Sequence, residues 1–169
     1  MRVILLVVFA LSAVVNSLGS EVFPLPSVPD SLVTAESRAN YLALHYWDNI
    51  DFNDSTIIGN EDISEQGFSN FISIMPYVTQ KEVAFAEFIS KISLKPDVQD
   101  YFMAVAKKYL AESQSPVFNE ELYITMLQSL LSSDMLDSAR RAKYSVILDT
   151  EMKNRVGEVA TDFEFMLRD

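Results

Sequence analysis

Between Thr34 and Met152 the chain repeats one arrangement, in which a helix start signal is followed by apolar residues at helical spacing. Apolar positions at i, i+3, i+4 and i+7 lie on one face of an α-helix, so such a chain must bury helix against helix. Thr34 can cap a helix reaching about Ile50. Its Tyr41, Leu42, Leu44, Tyr46 and Trp47 cover nearly the whole circumference, which predicts a central position. Asp62-Ile-Ser-Glu65 and Thr79-Gln-Lys-Glu82 both have capping-box spacing. The first leads into Phe68, Phe71, Ile72 and Met75 and stops at Pro76; the second leads into Phe85, Phe88, Ile89 and Ile92. Pro96 suits a first helical turn ahead of Val98, Tyr101, Phe102, Val105 and Tyr109. Asn119 caps a stripe of Leu122, Tyr123, Met126, Leu127 and Leu130, and Ser133 or Asp134 opens a last helix with Leu136, Ala139, Lys143 and Ile147 aligned. The expectation is an all-α bundle of about six helices over residues 34–153.

Composition removes most catalytic chemistry. The 169 residues include no cysteine, one histidine and four glycines. Without cysteine there is no disulfide framework, thiolate zinc site, cysteine nucleophile or CxxC redox pair. Gly59 and Gly67 are the nearest pair of glycines in the helical region, too far apart for a GxGxxG turn or a P-loop, and His45 alone supplies neither an HExxH pair nor, without a GxSxG elbow, a serine triad. Acidic residues outnumber basic ones 24 to 13, the wrong sign for a phosphate backbone, so nucleic acid is not an expected partner. The densest basic group, Arg140, Arg141 and Lys143, reads as a solvated helix face.

Residues 1–19 read as a signal peptide. Arg2 precedes an apolar or small run from Val3 to Val15, and Ser17-Leu18-Gly19 places small residues where a signal peptidase reads them. The run of about thirteen residues is shorter than the roughly 20 needed to span a bilayer, so only transient membrane contact is expected. The expected location is periplasmic or extracellular. Residues 20–33 carry Pro24, Pro26 and Pro29 and read as an extended leader. After Met152 the pattern changes: Gly157 can supply a turn, and Phe163, Phe165 and Leu167 alternate with Glu164, Met166 and Arg168 in the period of a strand.

The stretch Asn154-Arg-Val-Gly-Glu-Val-Ala-Thr-Asp-Phe163 resembles the start of thioredoxin-like domains of the alkyl hydroperoxide reductase and thiol-specific antioxidant type. Their first strand is introduced by Gly-x-x-Ala-x-Asp-Phe, matched here by Gly157, Ala160, Asp162 and Phe163, with Val156 where a proline is usual. Upstream, Tyr41-Leu-Ala-Leu-His-Tyr-Trp-Asp48, Asp51-Phe-Asn-Asp54, Glu65-Gln-Gly-Phe-Ser-Asn-Phe71, Lys108-Tyr-Leu110, Ser115-Pro116, Asn119-Glu-Glu-Leu-Tyr-Ile124 and Lys153-Asn-Arg155 resemble, in order, a domain family of unknown function. That family occurs in exported proteins of Gram-negative gut anaerobes and commonly precedes a thioredoxin-like domain. The resemblance implies that residues 154–169 are a linker and the truncated start of such a domain. It also implies a non-catalytic accessory role for the helices, with a thioredoxin-like domain or another envelope protein as partner. The alternative is a stand-alone exported binding module for a peptide, a glycan or an envelope partner.

No catalytic residue, metal site or cofactor is assigned. The candidate binding residues are His45, Trp47 and Asp48. His45 and Asp48 stand one helical turn apart, followed by the oxygen ligands Asp51, Asn53 and Asp54, which together could attract a cation. The calcium-loop pattern fails, because Thr56 falls where glycine is needed and Asp62 where a bidentate Glu is expected. The competing reading is that Asp48 and Asp51 end the helix and His45 hydrogen-bonds inside the core. Trp47, with Tyr46 and Tyr41, either lines a ligand groove or packs the core.

Overall fold

The computed structural model describes residues 23–153. The expected signal peptide and the strand-like tail lie outside the described residues. Six α-helices run in order: α1 (Ala35–His45), α2 (Glu65–Ile74), α3 (Lys81–Ile92), α4 (Pro96–Ala106), α5 (Glu120–Ser132) and α6 (Ser138–Lys153). Short 3-10 turns cover Ser55–Gly59 and Met75–Tyr77, and a π turn, Lys107–Ala111, extends α4. The described residues contain no strand, and the fold is an all-α bundle.

Helix α3 holds the centre, packing against α1, α4 and α5, and α5 in turn packs against α6 and the π turn. The reason is the density of large apolar groups on α3, where Phe85, Phe88, Ile89 and Ile92 are fully buried. The predicted stripes of α2 and α5 also face this core: Phe68, Phe71, Ile72 and Met75 on one side, Leu122, Tyr123, Met126, Leu127 and Leu130 on the other. Pro96 begins α4 as expected. Thr34 and Asn119 cap their helices, Thr34 Oγ1 accepting from Ser37 N at 3.0 Å and Asn119 Oδ1 from Leu122 N at 3.0 Å.

Several local expectations are corrected. Helix α1 ends at His45 rather than near Ile50, and it is not the central helix. In a continued helix Tyr46 and Trp47 would point about 100° apart. Here the chain turns after His45, with Asp48 N bonding to His45 O and Ile50 N to Trp47 O, and both aromatics enter one core. Neither capping box forms. Helix α2 begins at Glu65 itself, so Asp62 is not its capping residue, and helix α3 begins at Lys81 with Thr79 engaged by Asn40; Ser64 and Gln80, the residues just before the two helices, make no side-chain capping bond.

The last helix opens at Ser138, not at Ser133 or Asp134. Asp137 provides the cap, its Oδ1 accepting from Arg140 N at 2.7 Å. Its inward face is centred on Tyr144, with Ile147 and Leu148 partly buried, whereas Ala139 and Lys143 are exposed. The basic group is not a solvated face either. Arg140 bridges Asp100 of α4 and Asp137, and Arg141 donates to the carbonyls of Leu131 and Ser133, closing the turn between α5 and α6.

Candidate functional site

The polar residues that follow α1 separate into three unrelated structures. His45 Nδ1 lies 2.7 Å from Asp48 Oδ2, and Lys91 Nζ of α3 lies 3.0 Å from Asp48 Oδ1 and 3.1 Å from Glu87 Oε1. His45 is about one-third exposed (34%), so it pairs at the surface rather than inside the core. Partial burial pushes the Asp48 carboxyl up, but the hydrogen bonds from His45 and Lys91 and their charges outweigh it and hold it below the usual carboxylate range. Lys91 is driven down by its own burial and more strongly up by Asp48 and Glu87, so it stays charged. An ammonium thus occupies the place beside Asp48 that a bound cation would need. Asp51 instead accepts from Asn53 N at 2.9 Å and Asn53 Nδ2 at 3.2 Å, a local turn. Asp54 caps the 3-10 turn by accepting from Thr56 N at 2.9 Å. Among the described residues no three His, Cys, Asp or Glu side chains converge as metal ligands would.

Trp47 is the hub of the aromatic core. Phe88 stacks on it with ring centroids 4.7 Å apart, and Phe23, Tyr46, Phe52, Phe71 and Phe102 meet it at steeper angles. It is 2% exposed and its Nε1 is buried without a hydrogen-bond partner. Leaving an indole N–H unpaired costs about 1–3 kcal/mol, which this packing offsets. Tyr41 leans on the His45 ring at 4.3 Å. The three candidates therefore divide, His45 and Asp48 in a surface ion network and Trp47 in the core beneath it.

The proline-rich leader is joined to this core. Phe23 stacks on Tyr46 at 4.7 Å and lies so close to α2 that a Cβ built on Gly67 would stand 2.5 Å from Phe23 Cε2. Asn49 Nδ2 donates to Pro24 O at 3.0 Å and reaches Leu25 O at 3.4 Å, while Arg38 Nη1 donates to Leu32 O at 3.2 Å. Along residues 24–29 half-buried and exposed positions alternate, with Pro24, Pro26 and Val28 toward the bundle and Leu25, Ser27 and Pro29 outward. None of Phe23, Arg38, Asn49 or Gly67 was singled out as a site from the residues alone. The available signal was Gly67 itself, since a glycine inside a helix costs roughly 0.5–1 kcal/mol relative to Ala and marks a close approach.

Two further networks tie helices together. Lys108 Nζ lies 2.5 Å from Glu65 Oε2, and Tyr109 Oη donates to the same oxygen at 3.0 Å. The Lys108 hydrogen bond holds the Glu65 carboxyl below its ordinary range against a smaller desolvation effect. On α4, Asp100 receives Arg140 at 3.0 Å and Tyr144 Oη at 3.3 Å, and the Arg140 bond lowers its carboxyl likewise. Each network spans two elements, as structural clamps do.

The family model for a domain of unknown function, DUF5106, matches residues 10–154. The chain belongs to the DUF5106 family. The described helices lie wholly within that match. A crystal structure of a thioredoxin-like protein from Bacteroides caccae is similar to this DUF5106 chain at 32% identity with a TM-score of 0.71, over 85% of this chain and 52% of that one. The chain thus spans about half the length of the solved structure it matches. No curated protein matches it. The resemblance to a helical family associated with thioredoxin-like proteins is therefore shown.

Proposed function

We propose that this chain is a non-catalytic accessory domain of an exported thioredoxin-like thiol-disulfide oxidoreductase. One observation carries the reading: 85% of the chain is similar to 52% of a protein described as thioredoxin-like. Thiol-disulfide exchange needs a thiolate nucleophile, and this chain contains no cysteine, so the helical part can contribute only recognition or placement. Residues 1–19 have the charge and apolar pattern of a secretory signal, which supports export to a compartment where disulfides persist. The packing of Trp47 and the clamps at Glu65 and Asp100 suit a rigid scaffold. The purified chain should give no turnover in an insulin-reduction assay. Turnover that persists after removal of contaminating reductases would contradict the accessory role.

A further inference from the structure

Residues 23–33 lie against the bundle with a turn at each end, Leu25 N bonding to Phe23 O and Leu32 N to Pro29 O, and the stretch between them alternates half-buried and exposed positions as a bound peptide does. Asn49 and Arg38 hold the segment near its two ends, and both take only main-chain carbonyls. Carbonyls are offered by every polypeptide, including one rich in proline, which has fewer N–H groups to pair. Selection rests on one position, Phe23, whose ring fills a slot floored by Gly67 and walled by Tyr46 and Trp47. Gly67 matters here because any side chain on it would enter the space the ring occupies. Clamps that donate only to main-chain carbonyls, with one aromatic slot, are a recognition mode that tolerates many sequences while requiring a single anchor.

We propose that this groove is a peptide-binding site, filled in this structure by the chain's own leader, and that its ligand is a segment of another polypeptide in which an aromatic residue precedes proline. The leader acts as a tethered competitor. A tethered segment has an effective concentration of order millimolar, so a peptide in trans binds only weakly until the leader is displaced. The site is defined by Phe23, Gly67, Asn49 and Arg38 and does not depend on a redox partner. An accessory domain could therefore fail its own test while the groove passes, and the converse.

Trp47 provides the readout, since it is the single tryptophan and the Phe23 ring lies 5.3 Å from it. The Phe23→Ala chain is titrated with a synthetic peptide of residues 23–33 and with the same peptide carrying alanine in place of phenylalanine. Saturable binding of the first peptide is expected, with Trp47 emission returning toward that of the unaltered chain and a rise in melting temperature. The alanine peptide should bind at least about ten-fold more weakly, and so should the first peptide to the unaltered chain, whose slot is filled. Adding Asn49→Ala should weaken binding about five-fold, the effect of one lost hydrogen bond. Absence of binding to a folded Phe23→Ala chain, or equal binding of the two peptides, would overturn the proposal. Loss of the fold in Phe23→Ala would make the leader a core element and overturn it as well. A concentration-dependent dimer that disappears in Phe23→Ala would show copies exchanging leaders, and would replace the foreign ligand with a second copy.

Discussion

Asn40 of α1 and Thr79 before α3 grip each other by two hydrogen bonds, Asn40 Nδ2 donating to Thr79 Oγ1 at 2.9 Å and Thr79 N donating to Asn40 Oδ1 at 2.9 Å. Thr79 Oγ1 also donates to Glu36 Oε1 at 3.3 Å. The pair replaces a local cap with a contact 39 positions away, fixing α1 against the start of the central helix. Thr79→Ala should cost about 1 kcal/mol, and Asn40→Ala about the same. The two should add incompletely, because both changes remove the bond from Asn40 Nδ2 to Thr79 Oγ1, while Thr79→Ala keeps the backbone N–H that donates to Asn40 Oδ1. A double-mutant cycle by chemical denaturation measures this, and full additivity would show that the pair contributes nothing.

Gly67 and Phe23 should be coupled with opposite sign to an ordinary contact. Gly67→Ala alone places a methyl on the Phe23 ring and unseats the leader, offsetting the gain of up to about 1 kcal/mol from replacing a helical glycine. In a Phe23→Ala background the clash is absent, so Gly67→Ala should become stabilising. Thermal melts of the four proteins test it; an equal effect in both backgrounds would mean that the ring does not rest on Gly67.

Trp47 and His45 should separate sharply by stability. Trp47→Ala empties the centre of the aromatic cluster and should cost about 3–5 kcal/mol. His45→Gln alters a pair more than one-third exposed at the surface and should cost less than about 1 kcal/mol. Denaturant midpoints decide, and a large loss for His45→Gln would require the histidine to be structural.

Stability should fall in acid through Asp100 and Glu65. Arg140 lowers the first carboxyl and Lys108 the second, so the folded chain binds fewer protons than the unfolded one. Their contribution is present above the unfolded carboxylate range, near pH 4, and is lost as pH falls through their depressed folded values. Glu151 works in the opposite direction: burial raises its carboxyl, Glu120 adds to this, and Lys107 opposes it. Its contribution is present below the unfolded range and lost as pH rises through the raised folded value. In melting temperature against pH, Asp100→Asn should flatten the acid limb, and Glu151→Gln should remove the loss on the rising side.

Much of the bundle was legible because its signals are short-range. Thr34, Pro96 and Asn119 act within three residues of themselves, and the stripes of α2, α3 and α5 repeat at one period over a single element. Thr79 carries an equally good local signal, but Asn40 captures it from 39 positions away, and Asp62 is bypassed because α2 begins only at Glu65. The same limit hid the groove. Phe23 and Gly67 meet across the α1 turn and the 3-10 segment, and only the unexplained glycine hinted at the contact. His45, Asp48, Asp51 and Asp54 looked like one cluster because they are close in sequence. The turn after His45 and the arrival of Lys91 divided them.

The accessory role is tested most directly by joining this chain to the part of the Bacteroides caccae thioredoxin-like protein that it does not match and comparing the fusion with that part alone. Reduction of a polypeptide disulfide and of a small synthetic disulfide would be followed side by side. The account predicts that the helical domain changes kcat/KM for the polypeptide and leaves the small disulfide unaffected, since only a large substrate can touch both domains. Identical kcat/KM values for both substrates, with and without the helices, would contradict it.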